Sequence, residues 1–394
     1  MKKKVCIVIP PNLPMPAVKG GAIETLLQYV IDLNEKNKDC NLTVISLYDK
    51  KAEKVSQKYK YTKFVYYHPQ KGDNVKYFLF RGFRKACRLQ LTFLEPYENF
   101  VNQYVLKNDF DIFVNESADF KAFRKISKKM GKTNCYAHLH SVFSSTKLID
   151  ETFGTIISVS DYIKQNWEKS STIDPASIKV LRNCADKRIF SKALTTDEKN
   201  TLRNKLGLDK KDFIVIFSGR IIKEKGILEL IKAIKKIKNP TIKLLIIGSP
   251  NFGKKTITKY QNQVIKEVNS SNGKIIFTGF VSHDELYKYY SIAQCAVVPS
   301  VYEDPAPLVP IEAMMAKKPL IVTNSGGIVE YVNSKSSILV KKEKNLISQL
   351  TKSILKIYSS PSLQQTMSKE AGIRASQYTV ENYYFNYLKI LGIK

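Results

Sequence analysis

The sequence has 394 residues, 43% of them hydrophobic and 25% charged; this balance excludes a disordered chain, and the length exceeds what one core usually organises, so two domains are expected. Its 64 Lys and Arg against 35 Asp and Glu give a formal charge of +29, which points to an anionic partner (phosphorylated substrate, nucleic acid or membrane surface) or simply to a Lys-rich surface. No apolar run approaches the ~20 residues that a membrane-crossing helix needs.

Lys2-Lys3-Lys4 precede an apolar run, residues 5–9, that Pro10 and Pro11 stop before it reaches the length of a signal peptide. The run is expected to be a buried first strand. Further strand-like runs lie at 42–47, 64–67, 112–115, 136–140 and 155–159, several of them apolar on both faces, as central parallel strands are. Helical spacing at 22–33 and 122–130 lies between them, which predicts a doubly wound α/β domain.

A polar, Lys-rich passage at 187–211 follows, after which β-prone runs resume at 213–218, 243–247, 275–278, 296–299 and 319–322. The expected fold is therefore α/β with two Rossmann-like domains, 1–188 and 189–376. Residues 362–391 read as helix, with Tyr378, Tyr383, Tyr384, Phe385 and Tyr387 placed to pack a terminal segment, about 377–394, back onto the first domain. The six cysteines (Cys6, Cys40, Cys87, Cys135, Cys184 and Cys295) contain no C-x-x-C pair, and the four histidines are scattered along the chain. Reduced thiols of a cytoplasmic protein with no zinc site are expected.

Three stretches carry chemistry. Gly20 and Gly21 open a helix after the first strand, where backbone N–H groups and a helix N-terminus suit a phosphate, although the spacing is not the G-x-G-x-x-G of dinucleotide dehydrogenases. Arg220 and Lys225 follow the strand at 213–218, at the sheet edge where open α/β folds bind ligands, and two cations there can neutralise a diphosphate. The third stretch is Ser300-Val301-Tyr302-Glu303-Asp304-Pro305-Ala306-Pro307-Leu308-Val309-Pro310-Ile311-Glu312-Ala313-Met314.

That third stretch resembles the donor-binding signature of the retaining family-four GT-B glycosyltransferases, whose hallmark is two acidic residues separated by seven others. Asp304 and Glu312 stand at those positions. Other pieces resemble the family in its order along nearly the whole chain: Gly20-Gly21-x-x-Glu24, Arg182-Asn183, Gly219-Arg220 through Lys225-Gly226, Phe277-Thr278-Gly279-Phe280, and Asn324-Ser325-Gly326-Gly327. The resemblance implies a GT-B fold, two Rossmann-like domains facing across a cleft, the first for the acceptor and the second for a nucleoside-diphosphate sugar, with a UDP-sugar favoured.

Residue by residue, the resemblance implies that Arg220 and Lys225 bind the diphosphate and Glu312 the ribose hydroxyls. Asp304, with Glu303 able to share its role, would lie near the donor sugar. Backbone groups of Ala306, Pro307, Leu308 and Val309 would contact sugar and phosphate, Phe280 and Val281 would flank the base, and Gly20 and Gly21 would face the pyrophosphate. His140, at the end of the run 136–140, resembles the family's active-site histidine, which suits a hydrogen bond to a sugar hydroxyl or to developing charge. Two departures stand out: Asp304 replaces the usual Glu, and Ala306-Pro307 replaces a Phe-Gly pair, so one backbone N–H is missing.

The implied reaction retains anomeric configuration, with the leaving diphosphate stabilised by Arg220 and Lys225 and no metal or other cofactor required. A saccharide or lipid-linked saccharide acceptor in cell-surface polysaccharide synthesis is expected. Arg81, Arg84, Lys85 and Arg88 recur at helical spacing within 77–91, and a second basic cluster spans 121–132, so peripheral contact with an anionic inner membrane face is also expected. Two alternatives differ in class. A nucleic-acid-binding role, prompted by charge alone, finds no recognition helix or zinc module. A sugar-nucleotide epimerase of the same fold would lack the matched cations and acidic pair.

Overall fold

The computed structural model describes residues 2–70, 95–249 and 258–394. Contacts divide the chain into two compact units, Met1–Leu181 together with Tyr384–Lys394, and Arg182–Tyr383.

In the first unit, β1 (Lys4–Val8), β2 (Asn41–Leu47), β3 (Thr62–Tyr67), β4 (Ile112–Asn115), β5 (Cys135–Leu139), β6 (Thr155–Ser158) and β7 (Ile178–Val180) form one sheet in the order β3-β2-β1-β4-β5-β6-β7. All its pairings are parallel, with Val5 opposite Leu42 on one side and Ile112 on the other. Val5 to Val8 of β1 and all of β4 and β5 are buried, which is why these runs are apolar without alternation. Strand order reverses between β1 and β4. The loops after those strands therefore diverge and leave a crevice at their carboxyl ends.

The second unit repeats the plan with β8 (Phe213–Ser218), β9 (Ile242–Ile247), β10 (Ile275–Gly279), β11 (Cys295–Val298), β12 (Leu320–Thr323) and β13 (Ser337–Val340), ordered β10-β9-β8-β11-β12-β13 and again parallel. Its switch point lies between β8 and β11. Ile227, Leu230, Ile231 and Ile234 recur at helical spacing on the helix Ile227–Lys236 and pack into one core with Val215, Phe217, Ile246 and Val297. On the opposite side of the helix, Lys232, Lys235 and Lys236 remain in contact with water.

Several elements differ from expectation. Two short edge strands, β7 (IKV) and β13 (SILV), have no counterpart among the expected runs. The terminal helix is two, Pro361–Ala375 and Val380–Ile390. Tyr378, in the break, packs against Tyr331 at 5.2 Å, and Thr379 Oγ1 accepts from Asn382 N to start the second helix. Midway along that helix, Tyr384 Oη donates to Asp39 at 2.8 Å, and Lys394, beyond its end, pairs with the same carboxylate.

Cys6, Cys40, Cys135, Cys184 and Cys295 are buried free thiols. Cys87 and the basic positions Arg81, Arg84, Lys85 and Arg88 lie outside the described residues. No helix among the described residues is long and apolar enough to cross a membrane.

Candidate functional site

The switch point of the second sheet gathers most of the charged positions singled out above. After β8 the chain turns through Gly219 to Arg220, which is exposed, and then to the short 3-10 turn Lys223–Lys225. Gly226 follows with φ 67°, and a Cβ there would lie 1.9 Å from the carbonyl oxygen of Pro299. Only glycine allows the start of the helix Ile227–Lys236 to sit against the end of β11. Val301 N donates to Glu224 O at 2.9 Å and ties the two loops together.

This close approach brings Lys225 Nζ to 2.5 Å from Asp304 Oδ2, with Tyr302 Oη at 3.4 Å. Asp304 is 2% exposed. Its carboxylate also accepts from Ser300 Oγ at 2.9 Å, and its backbone is held by Ser325 Oγ and by Gly327 N. A buried carboxylate needs such a set of donors, since its desolvation costs several kcal/mol. Burial and the adjacent Asp304 together push the Tyr302 phenol up, so it stays a neutral donor. Glu303 takes a different direction: it pairs with Lys342 and accepts from Gly326 N at 2.5 Å. The Lys342 ammonium lowers its carboxyl.

Glu312 lies in the first turn of the helix Val309–Met315 and is buried, and its Oε1 is 2.9 Å from His283 Nε2. Burial alone would lower the His283 imidazole, but the Glu312 carboxylate outweighs it, with help from Asp284 and Asp186, so His283 titrates above its ordinary value. His283 belongs to the loop after β10 that also carries Phe280, 59% exposed, and Val281. The backbone between the two acidic residues is partly committed: the Ala306 carbonyl accepts from Asn183 Nδ2 at 2.8 Å. Pro307 and Pro310 have no N–H, so Leu308 and Val309 are the donors available at the start of this helix.

In the first unit, Gly20 and Gly21 have φ of 78° and 105°, and Gly21 is the N-cap of the helix Ala22–Asn37. A Cβ on Gly21 would meet the Glu24 carboxylate at 2.0 Å. Glu24 is 4% exposed, and burial pushes its pKa from 4.5 to about 7. The folded state holds a proton that the unfolded chain has released, so the contribution is fully present below about 4.5 and is lost as pH rises through about 7. The difference is worth no more than roughly 3 kcal/mol. Denaturant titrations of the native chain and of Glu24→Gln at pH 5 and pH 8 are expected to show the variant gaining 1–3 kcal/mol relative to the native chain at the higher pH.

His140 directly follows β5, with its Nε2 at 2.8 Å from Glu116 Oε2 and its ring centroid 4.1 Å from that of His138. Glu116 and His283 stand in no motif of the sequence, and Ser300, Tyr302 and Ser325 lie inside motifs that give them no role of their own. Ser300 meets Asp304 within one loop, four positions away, whereas the partners of Glu116, His283, Tyr302 and Ser325 lie 21 to 77 positions away and are brought near by sheet order.

Comparison with known proteins gives this arrangement a context. Residues 198–374 match the family model for Glycosyl transferases group 1. A lipopolysaccharide 1,2-N-acetylglucosaminetransferase from Salmonella typhimurium is 27% identical over 258 residues, which cover 64% of this chain and 65% of that protein. The match thus spans just under two thirds of that relative. The putative glycosyltransferase YtcC of Bacillus subtilis is 25% identical over 380 residues, 93% of this chain and 86% of that one. Among solved structures, Anabaena HepE in complex with UDP-glucose superposes with a TM-score of 0.77 at 18% identity, over 99% of both chains. The fold is that of the GT-B glycosyltransferases.

Proposed function

We propose, on the premise that residues 198–374 of this chain belong to the glycosyl transferases group 1 family, that the protein transfers a sugar from a nucleoside-diphosphate sugar to a saccharide or lipid-linked saccharide. The observation that carries this reading is the juxtaposition of Lys225, Asp304 and Ser300 at the switch point of the second sheet, with Glu312 one short helix further on.

Arg220 and Lys225 neutralise the leaving diphosphate, and this charge stabilisation is the main contribution to rate. Glu312 accepts from the ribose hydroxyls once His283 gives way, and the exposed Phe280 ring, with Val281, covers the base. Asp304 directs Lys225 and lies beside the donor sugar, while Leu308 and Val309 offer backbone N–H groups. Glu303, beside Asp304, is turned to Lys342 and can share the role of Asp304 by leaving this exposed pair. His140 hydrogen-bonds the transferred sugar. Anomeric configuration is retained, because the departing diphosphate itself takes the acceptor proton. With two protein cations on the diphosphate, no metal is needed for the leaving group.

A UDP-sugar is favoured as donor, supported by the UDP-glucose bound in the structurally similar Anabaena protein. The Salmonella relative supports an envelope glycan as the product class. Such an acceptor places the enzyme in the cytoplasm at the inner membrane face, with Arg81, Arg84, Lys85 and Arg88 meeting anionic lipid.

A thermal-shift panel of UDP-, GDP- and ADP-sugars tests the reading. A rise in Tm with one nucleoside class, UDP foremost, is expected, and no rise with any of them refutes it. Product analysis with and without a saccharide acceptor separates transfer from epimerisation.

A further inference from the structure

Glu116 follows β4, beside the point where the first sheet reverses its order, and is 3% exposed. Its backbone N donates to Val8 O of β1 at 2.8 Å, which fixes where the side chain starts. Three groups converge on the carboxylate. His140 Nε2 makes an aligned hydrogen bond to Oε2 at 2.8 Å, and Tyr387 Oη donates to Oε1 at 3.0 Å. His138 Nδ1 lies 2.8 Å from Oε2 but off the line of a hydrogen bond. Ser117, next in sequence and at φ 63°, donates from Oγ to the His138 carbonyl and accepts from His140 N, clamping the end of β5 to this loop.

A carboxylate this deep is tolerable only because donors surround it. Burial pushes the Glu116 carboxyl up, but His138 and His140 outweigh it and hold it well below the usual range. His140 moves the other way: burial first, then the neighbouring His138, bring its imidazole down to about 4 against the pull of Glu116. At neutral pH His140 therefore carries one proton. An anionic acceptor cannot donate, so that proton sits on the nitrogen facing Glu116.

We infer that Glu116 is a positioning residue for the transfer reaction: it accepts a hydrogen bond from the Nε2–H of His140, holding the proton on that nitrogen and leaving Nδ1 as a lone-pair acceptor for a hydroxyl of the bound sugar. This rests on the reading in which His140 meets the transferred sugar. Tyr387 and His138 serve the same end by holding the carboxylate in one orientation. A metal ion on Glu116, His138 and His140, whose ligand atoms lie within 4.8 Å of one another, fits the geometry less well. Ligands at ~2.0–2.1 Å from a tetrahedral ion stand about 3.3 Å apart, whereas the aligned contact from His140 to Glu116 is 2.8 Å.

The test is long-range 15N–1H correlation on histidine-labelled protein, with the His140 signals assigned by their loss in His140→Ala. A single neutral Nε2–H tautomer between pH 6 and 8 is expected. In Glu116→Gln, whose amide can accept or donate, both tautomers are expected, and kcat is expected to fall about 10–100-fold, the loss of one charge-assisted hydrogen bond, with donor KM within about twofold. Glu116→Asp should recover part of kcat. A Nδ1–H tautomer in the native chain, native kcat in a folded Glu116→Gln, or one equivalent of tightly held metal lost in that variant each overturns the inference. The native-chain tautomer can be measured even if the variant fails to fold. If Nδ1–H is found while nucleotide sugars still raise Tm, the positioning role falls alone; absence of any nucleotide-induced rise refutes the functional reading instead.

Discussion

Lys225→Ala is expected to lower kcat/KM by about 10²–10³-fold, the cost typical of removing one group that stabilises developing charge in a closed site. The same change is expected to lower Tm by several degrees, because Asp304, 2% exposed, loses the cation 2.5 Å from its carboxylate. Stripping one partner from a buried pair costs about 3–5 kcal/mol in the most enclosed cases. Lys225 keeps some contact with water, so the loss here should be smaller. The two effects separate in the double variant Lys225→Ala/Asp304→Ala. Without the orphaned carboxylate the fold regains most of its stability, while activity stays low because the diphosphate still lacks its cation. Kinetics and thermal melts on the three proteins check this; full activity in a folded Lys225→Ala would remove Lys225 from the mechanism.

Donor affinity should respond most strongly at Glu312. Hydrogen bonds to a charged acceptor are worth about 1.5–3 kcal/mol each, so Glu312→Ala is expected to weaken nucleotide-sugar binding by about 10–100-fold, measured by calorimetry. The 2.9 Å contact from His283 to Glu312 adds a pH dependence. His283 titrates above its ordinary value because Glu312 holds the imidazolium. Its contribution to stability is thus fully present below about 6.5 and is lost as pH rises through the raised value. The ribose competes for the same carboxylate, so affinity should rise as pH increases through that range. Asp284 and Asp186 also face His283 and add to its hold on the proton. In His283→Ala the rise should flatten. Unchanged affinity in Glu312→Ala would contradict the ribose assignment.

How much of this was legible in the sequence follows from where each contact comes from. Strands β1 and β8 announce themselves because they are buried on both faces and almost wholly apolar, and β2 and β9 do so nearly as well, interrupted only by Thr43, Ser46 and Lys243 within their apolar stretches. The edge strands β7 and β13, three and four residues long and paired on one side only, are too short to stand out. The single helix read over 362–391 misses its break because Tyr378 and Thr379 disturb neither the apolar spacing nor the charge pattern. The break coincides with a tertiary contact, Tyr378 on Tyr331, that local sequence does not show.

At the donor site, the spacing of Asp304 and Glu312 was readable, as were Arg220 and Lys225, since each belongs to a local motif. That Lys225 reaches Asp304 across 79 positions was not, because it depends on β8 lying beside β11. The scatter of histidines along the chain was equally uninformative. Pairing of β4 with β5 brings Glu116 to His138 and His140, and the terminal helix supplies Tyr387 from 271 positions away. Neither relation leaves a mark in local sequence.

The location of the donor is the most direct test of the account. Hydrogen exchange measured by mass spectrometry, with and without a saturating UDP-sugar, is expected to show protection concentrated in residues 218–226, 279–284 and 300–313. Protection confined to other segments, or none despite a demonstrated rise in Tm, would contradict the placement of nucleotide and diphosphate at the β8 and β11 switch point.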